Sequence, residues 1–577
     1  MYTLGISCYY HDSAACLLKD GIIIRGVEEE RFSRKKFDDG FPKNAIDFCL
    51  EQENISIKDI DCIAFYDKPI LKFERLIDNY IHYAPRGLHS FLDVIPKWLH
   101  KRLWIKEEIK KYLKGYNGKI IFPDHHLSHA AHTFFSSPFD QAAILTIDGV
   151  GEWTTTSFGT GKDEEINLTH DIRWPHSLGM FYSAFTYFLG FMVNEGEYKL
   201  MGLASYGKPK YYDLILKEIV DIKNDGSLHL NMKYFAFGFD KVMTNDKFSE
   251  LFGISPKKES EKFEQIHFDI GASAQLILEE TILKMVNHIH KKTNEQNLCL
   301  GGGVALNGVS NYRVLKEGPF SEIFIPPSPG DAGSAAGAAQ FAYFNYLKNK
   351  RRTDVVLSEQ IKNNIYLGPQ FSNDEIENFL EKQNVKSIKM EKDQLLDKVT
   401  DLITKKNVVG WFQGKMEWGP RALGNRSILS DPRLSEMKDI LNEKIKHREK
   451  FRPFAPSVLE EFSQEYFDCD VTSPYMLLVA PVKKPESIPA VTHVDGTGRL
   501  QTVSKETNPL YYSLIRKFYE KTGVPVLINT SMNVRGEPIV NTPEQAFNML
   551  LKTEMDFLVL GNNLVSREDA HVSSSKI

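Results

Sequence analysis

The chain has 577 residues, 42% hydrophobic and 25% charged, which places it among globular proteins and beyond the size of a single core. Lys+Arg 71 against Asp+Glu 76 leaves a formal charge of −5, which argues against a general nucleic-acid coat, because non-specific phosphate binding needs clustered positive charge. The chain has no run of about 18–20 uncharged apolar residues and no basic n-region with an apolar stretch, and its six cysteines include no C-x-x-C pair; a reduced, cytoplasmic protein without nucleic-acid or membrane partners is expected.

Thr3–Ser7, Ala14–Leu18 and Ile22–Val27 read as three strands, with Lys19-Asp20-Gly21 as the turn between the last two. The same grammar returns at Ala142–Ile147, Asp148-Gly149 and Trp153–Phe158, followed by turn residues Gly159–Gly161. A repeat about 140 residues apart suggests a duplicated α/β unit with a cleft between its halves. Between the copies, Leu71–Leu113 carries aromatics and charges at helical spacing and reads as a helical insertion. Phe268–Lys292 is a long amphipathic helix leading into the strand Leu298–Leu300. The basic run Lys348–Arg352 before Thr353-Asp354 is taken as the boundary between a domain over 1–350 and a second over 351–577. The second alternates strands (Val408–Phe412, Met476–Val482, Val526–Ile528, Phe557–Leu560) with helices (Leu434–Lys444, Tyr511–Thr522, Pro543–Leu551).

Several segments carry candidate chemistry. In Asp124-His125-His126-Leu127-Ser128-His129-Ala130-Ala131-His132, a helix puts His125 and His129 one turn apart, either as a pair of metal ligands or as ordinary helix-face residues. Asp331, at the mouth of a small-residue helix, is either an N-cap or the carboxylate of a 2-His-1-carboxylate site. Gly301-Gly302-Gly303, ending a buried strand before Asn307, lets backbone amides approach a phosphate or ribose, or forms a tight packing turn. Asp148-Gly149 and His11-Asp12-Ser13 close similar strand turns. Farther on, Arg421 and Arg426 lie in a glycine-rich loop, and Lys444–Arg452 packs five cations into nine residues. Interleaved Phe451, Pro453 and Phe454 favour a partly buried polyanion site over a solvated face.

Taken together, these motifs resemble the O-carbamoyltransferases of antibiotic and nodulation-factor biosynthesis. The matching pieces are His11-Asp12, His125-x3-His129, Asp148-Gly149, Glu197–Ala204, Gly301–Asn307 and Gly330–Gly333, followed by Trp418–Arg426, Arg448–Pro456, His493-Val-Asp495-Gly and Asn529–Asn533. They span nearly the whole chain. The resemblance implies an α/β protein whose first domain is a duplicated actin-like ATPase (ribonuclease H-like) fold with a helical insertion. It implies a second α/β domain that forms carbamoyl-adenylate. His125, His129 and Asp331 would hold a divalent metal, iron first, with zinc or manganese as alternatives. Lys446-His-Arg448 and Ser531-Met-Asn533 fit a K-x-R…S-x-N signature for carbamoyl phosphate and ATP, the latter with Mg2+.

The implied activity is transfer of a carbamoyl group to a hydroxyl of a small-molecule acceptor. Lys446, Arg448, Arg421 and Arg499 would stabilise charge during adenylation, with Arg426 and Arg452 also facing the nucleotide. Asp12, Asp148, Gly301, Gly302, Gly303 and Asn307 would hold the adenylate, with His11 as the base for the acceptor. An actin-like sugar kinase or other phosphotransferase, a tRNA-modifying enzyme and a non-catalytic nucleotide-binding regulator are the competing readings. The acceptor would be met by Leu71–Leu113 and Trp174–Gly196; its identity, the native metal and homodimerisation are left open.

Overall fold

The computed structural model describes residues 1–351 and 365–574, so the expected boundary at Thr353-Asp354 lies outside the described residues. The chain divides into two compact units. One holds Met1–Gly26 and Asp39–Ser358, the other Val27–Asp38 and Glu359–Ile577. Contiguous ranges do not anticipate this exchange, in which a twelve-residue stretch near the amino terminus belongs to the second unit.

The first unit carries the expected duplication. Strands β1 (Tyr2–Ser7), β2 (Ala14–Lys19), β3 (Ile22–Glu28), β4 (Ile60–Phe65) and β5 (Lys119–Ile121) form a sheet in the order β3-β2-β1-β4-β5. Strands β6 (Gln141–Ile147), β7 (Thr154–Lys162), β8 (Glu165–Arg173), β11 (Asn297–Gly301) and β12 (Glu322–Phe324) repeat it as β12-β11-β6-β7-β8. A short ribbon of β9 (Val220–Ile222) and β10 (Leu228–Leu230) stands apart. In both sheets the first strand runs antiparallel to the second and parallel to the fourth, and the fourth runs parallel to the fifth. That is the ribonuclease H-like arrangement, present twice. The central parallel strands β1, β4 and β11 are largely buried apolar runs, as strands covered on both faces tend to be, whereas the edge strands β5 and β12 each begin with an exposed charge and are half-buried.

One expected turn is corrected. Gly159–Gly161 lie inside β7, which runs on to Lys162 and reverses at Asp163 (φ 51°). The glycines answer to close approach, since a Cβ on Gly159 would sit 1.9 Å from the Asn167 carbonyl oxygen and one on Gly161 2.6 Å from the Phe134 ring. The small residues of the helix Asp331–Phe341 have the same cause. A Cβ on Gly337 would fall 1.8 Å from the Ser128 carbonyl oxygen, and one on Gly5 of β1 would fall 1.8 Å from that of Ala335. This helix therefore packs backbone to backbone against β1 and against the helix His125–Phe135, fixing Asp331 relative to the histidines. Phe134, Phe135, Ile144 and Phe344 close the layer beneath, each buried side chain contributing about 1.5–3 kcal/mol.

The insertion is helical as expected, over Pro69–Tyr83, Leu88–His100 and Ile105–Tyr112. The long helix spans Gln265–Thr293 and stops at Asn294, which adopts the left-handed conformation (φ 57°).

The second unit has one nine-stranded sheet, made of β13 (Ile388–Lys389), β14 (Val409–Phe412), β15 (Arg426–Ser430), β16 (Ala455–Leu459), β17 (Leu478–Pro481), β18 (Thr497–Val503), β19 (Val526–Ser531), β20 (Phe557–Leu560) and β21 (Asn563–Ser566). Their order is β13-β21-β20-β14-β15-β19-β16-β18-β17. The predicted strands are all present, and the helices Pro509–Thr522 and Pro543–Lys552 lie where expected. The predicted helix Leu434–Lys444 differs: a single α turn at Met437–Ile440 widens into a π-helical stretch, Leu441–Lys446, ending at His447 with φ 48°. Such widened turns recur at functional sites.

Val27–Asp38 serves the second unit as a strap. Glu28 Oε1 accepts from the Gly419 amide at 3.0 Å, and Arg31 Nη2 donates to the Gly419 carbonyl at 2.9 Å. Arg34 donates to the carbonyls of Ile539 and Pro538, both at 2.7 Å. Among the described residues no helix is long and apolar enough to cross a membrane, and all six cysteines are free and buried.

Candidate functional site

In the first unit the helix His125–Phe135 begins where the Glu152 carboxylate accepts from the His125 amide at 3.1 and 3.2 Å, placing negative charge at the helix amino terminus. Helical spacing then brings His125 and His129 to one face, their Nε2 atoms 3.1 Å apart. Asp148, at the end of β6, sets Oδ2 2.9 Å from His125 Nε2 and 3.7 Å from His129 Nε2. Asp331 sets Oδ1 3.4 Å from His129 Nε2 and 3.6 Å from His125 Nε2. The four ligand atoms all lie within 4.8 Å of one another. Both Asp331 oxygens are buried without a hydrogen-bond donor among the described residues. Two imidazole nitrogens and two carboxylates converging on one point, with orphaned oxygens, fit a divalent cation. Asp331 thus stands as a carboxylate of the cluster, and Asp148, which the sequence reading gave to the adenylate, joins it.

Electrostatics holds the cluster together. Burial opposes charge on His129, yet Asp148 and Asp331 outweigh it and push its pKa up to about 9. Burial likewise opposes charge on Asp331, and His125 with His11 brings it down to about 2. His126 and His132 take the opposite course: burial lowers both to about 3, so they are neutral interior residues, His126 Nδ1 lying 2.7 Å from Thr146 Oγ1.

His11 sits after β1 in a turn where Tyr9 and Asp12 have φ of 70° and 52°. Its Nε2 lies 3.6 Å from Asp331 Oδ2 and its Nδ1 3.0 Å from Asp12 Oδ2, so Asp12 is engaged with His11. Burial opposes its charge, but Asp331 and Asp12 push its pKa up to about 9. Acting as a base at neutral pH therefore requires Asp331 to be neutralised, which is what a shared cation does.

The glycine turn packs against Asp148. The Gly303 amide donates to Asp148 Oδ1 at 3.0 Å, and Gly302 has φ 87°, where a Cβ would sit 2.2 Å from the Ile147 carbonyl oxygen. A Cβ on Gly301 would meet the His129 carbonyl oxygen at 3.2 Å. Asn307 caps the helix Gly308–Glu317, its Oδ1 accepting from Ser310 at 3.0 Å, and its amide exchanges hydrogen bonds with Gln275.

In the second unit Lys446, 3% exposed, reaches from the widened turn to β19. Its Nζ donates to the Asn533 Oδ1 and carbonyl oxygens at 2.9 Å, to Ser531 Oγ at 3.4 Å and to the Ser531 carbonyl. Burial, then Arg448, Arg452 and Lys36, hold its pKa well below the usual lysine range. The structure therefore gathers Lys446, Arg448, Arg452, Ser531 and Asn533. Lys36, which the strap contributes, escaped the sequence reading because it lies 410 positions away by residue number. Arg448 donates from Nε to Asn442 Oδ1 at 2.8 Å and lies over the Phe454 ring at 4.7 Å. Arg499 is on β18 beside His493, and Arg421 is in the Trp418–Arg426 loop.

Arg426 is held within its own loop. It is 0% exposed, with its guanidinium bonded to the carbonyls of Gln413, Gly414, Asn425 and Pro369 at 2.5–3.2 Å and stacked 3.7 Å from the Phe412 centroid. Its charge faces the loop interior. Glu417 completes that loop by accepting from the amides of Leu423, Asn425 and Arg426.

The family model described as Carbamoyltransferase N-terminus matches residues 2–340, and that described as Carbamoyltransferase C-terminus matches residues 400–567. Nodulation protein NolNO of Sinorhizobium fredii is 36% identical over 97% of this chain and 80% of its own length. An uncharacterized protein of Synechocystis is 48% identical over 98% of this chain and 97% of its own. Among solved structures, full-length HypF in its phosphate- and nucleotide-bound form aligns with a TM-score of 0.31 and 14% identity, over 60% of this chain and 56% of that one. Component A of the Acidaminococcus fermentans (R)-2-hydroxyglutaryl-CoA dehydratase aligns at 0.33 and 17%, over 60% of this chain and 100% of that one. With both family models matched in order and a relative of this identity along nearly its full length, the chain belongs to the carbamoyltransferases.

Proposed function

We propose that this carbamoyltransferase is ATP-dependent: it makes carbamoyl-adenylate from carbamoyl phosphate and ATP, then carbamoylates a hydroxyl of a small-molecule natural product. The observation that carries this reading is that each unit holds its own charge cluster, one of cations suited to phosphates and one of histidines and carboxylates suited to a metal.

In the second unit, hydrolysis of carbamoyl phosphate gives carbamate and phosphate. A carbamate oxygen then attacks the α-phosphorus of ATP and displaces pyrophosphate. Lys446, Arg448 and Arg452 neutralise the charge that spreads over the phosphate oxygens, and Arg421 from the Trp418–Arg426 loop and Arg499 from β18 would add to them. Ser531 and Asn533 hold the Lys446 ammonium in place.

In the first unit the acceptor oxygen attacks the carbamoyl carbon and AMP leaves. His125, His129, Asp148 and Asp331 would hold a divalent cation, iron first and zinc or manganese as alternatives, which supplies Lewis-acid polarisation of the carbamoyl oxygen. His11 takes the acceptor proton once Asp331 no longer holds its own, and Asp12 orients the ring.

The test is pyrophosphate release from ATP and carbamoyl phosphate, in wild type beside Arg448→Ala and His125→Ala. Release by wild type and His125→Ala but not by Arg448→Ala supports adenylation in the second unit with transfer in the first. No carbamoyl phosphate-dependent pyrophosphate across a panel of hydroxylated acceptors overturns it.

A further inference from the structure

The helix Pro69–Tyr83 is built inside out. Its buried residues after Pro69 are Lys72 and Arg75, at 4% and 7% exposure, while Ile70 and Ile81 stand 72% and 69% exposed. A helix packed only for stability turns its apolar stripe inward. Here Lys68, Lys72, Arg75 and Asn79 recur at i, i+4, i+7 and i+11 and share one face.

Three of the four have partners. Lys68 Nζ pairs with Asp124 at 2.9 Å, Lys72 Nζ pairs with Asp67 at 2.6 Å, and Asn79 Oδ1 accepts from Trp174 Nε1 at 3.1 Å. Arg75 is the exception. Its guanidinium lies 5.0 Å from the Trp174 ring centroid, its Nε is buried without a partner, and no hydrogen bond or ion pair joins it to any described residue. Burial pulls its pKa down to about 10, with Tyr10, Glu152 and Asp67 offsetting part of the effect.

Burying a cation without an acceptor is strongly unfavourable, so such a group is retained where something else supplies the acceptor. Its neighbours say where that would be. Lys72 Nζ lies 5.0 Å from the Tyr10 ring, Tyr10 lies 4.7 Å from the His11 ring, and His11 Nε2 lies 3.6 Å from Asp331. The helix thus turns its cationic face toward the residues that border the histidine–carboxylate cluster.

We propose that Arg75, bordered by Trp174, Tyr10 and Lys72, binds an oxyanion beside that cluster, taking two oxygens of a carboxylate, sulfate or phosphate on its planar fork. The ligand oxygens come from an acidic group on the acceptor or from the phosphate of the activated donor. Assigning the subsite to the transfer step rests on the carbamoyl-transfer reading; the binding itself does not, so the two fail separately.

The experiment is calorimetric titration of the full-length protein with inorganic sulfate, alone and with AMP present, in wild type, Arg75→Gln and Arg75→Lys, with a melting curve for each. The expected result is a sulfate affinity weakened about tenfold or more in Arg75→Gln, as loss of a charge-assisted bidentate contact implies. The variant should melt at or above the wild-type temperature, because it loses an unpaired buried charge. If Arg75→Gln melts early, Arg75→Lys decides: weakened sulfate binding at the wild-type melting temperature supports the assignment. Unchanged sulfate affinity in both variants, or no sulfate binding by wild type, overturns it. AMP that displaces sulfate, and is itself weakened in Arg75→Gln, identifies the donor phosphate. AMP that binds alongside sulfate identifies an acidic acceptor.

Discussion

The first unit sets histidines against carboxylates: His125 and His129 face Asp148 and Asp331 at 2.9–3.7 Å, and the two aspartates favour the charged form of His129. The second unit buries Lys446 among Arg448, Arg452 and Lys36, with only the neutral oxygens of Ser531 and Asn533 accepting from it. The first arrangement mixes imidazoles with carboxylates, a donor set that fits a small divalent cation. The second crowds cations around Lys446, with Glu449 beside Arg452, a composition suited to a polyanion. The same chain thus contains two clusters of opposite composition, one suited to a cation and one to an anion.

The sharpest way to break this comparison is Lys446→Ala. It should lower carbamoyl phosphate-dependent pyrophosphate release about a thousandfold, while iron, zinc or manganese content per chain stays at the wild-type level by mass spectrometry. A variant that loses bound metal as well would show that the clusters are not separate.

Next in size is Arg426→Leu. Four carbonyls would lose a buried donor, at about 3 kcal/mol, read as a lower midpoint in denaturant. Unchanged stability with weakened ATP binding would instead return Arg426 to the ligand side. Asp148→Asn tests the membership of the metal cluster. Metal affinity in a competition titration should fall about ten- to a hundredfold, whereas Asp12→Asn should leave it nearly unchanged. Equal losses would make His11-Asp12 part of the first coordination layer.

The smallest effect is pH-linked and belongs to the cationic side. Burial lowers the His493 pKa to about 4, with Asp495 opposing and Arg499 and Lys438 adding to the shift. From about 6.5 down to about 4 the unfolded chain therefore binds more protons at this site. Its contribution to stability is present above about pH 6.5 and is lost as the pH falls toward 4. His493→Gln should flatten that limb by a melting-temperature difference on the order of 1–3 °C between pH 7.5 and 5. Parallel curves for variant and wild type would place the acid sensitivity elsewhere.

Much of this was legible before any coordinates. The recurring strand–turn–strand grammar revealed both sheets because period and turn chemistry are local. His125 and His129 stand out because one helical turn separates them, whereas Lys446 is paired with Ser531 and Asn533 only through the resemblance to the carbamoyltransferases, since nothing local joins positions so far apart. What escaped depends on partners. Asp148 reads as one more strand-end aspartate until β6 is seen beside the histidine helix. That Arg426 is ringed by four carbonyls does not show in the sequence, because Gln413, Gly414 and Pro369 come to it only through the fold. Gly159 and Gly161 read as a turn because what they avoid, Asn167 and Phe134, is not visible in their own neighbourhood. The helix Pro69–Tyr83 has the right helical spacing, but spacing does not say that its charged face is the buried one.

The strap Val27–Asp38 also has a consequence for synthesis. Glu28 leaves the ribosome 391 residues before the Gly419 amide that it will accept from, roughly 20–80 s at about 5–20 residues per second. The chain passes between the units three times, so no single cut releases either one complete. During that wait Glu28, Glu29, Glu30 and Arg31 keep the unclaimed segment hydrated. A stretch of apolar residues in their place would invite misdocking, so the charges that end buried first serve as the protection of an unfinished protein.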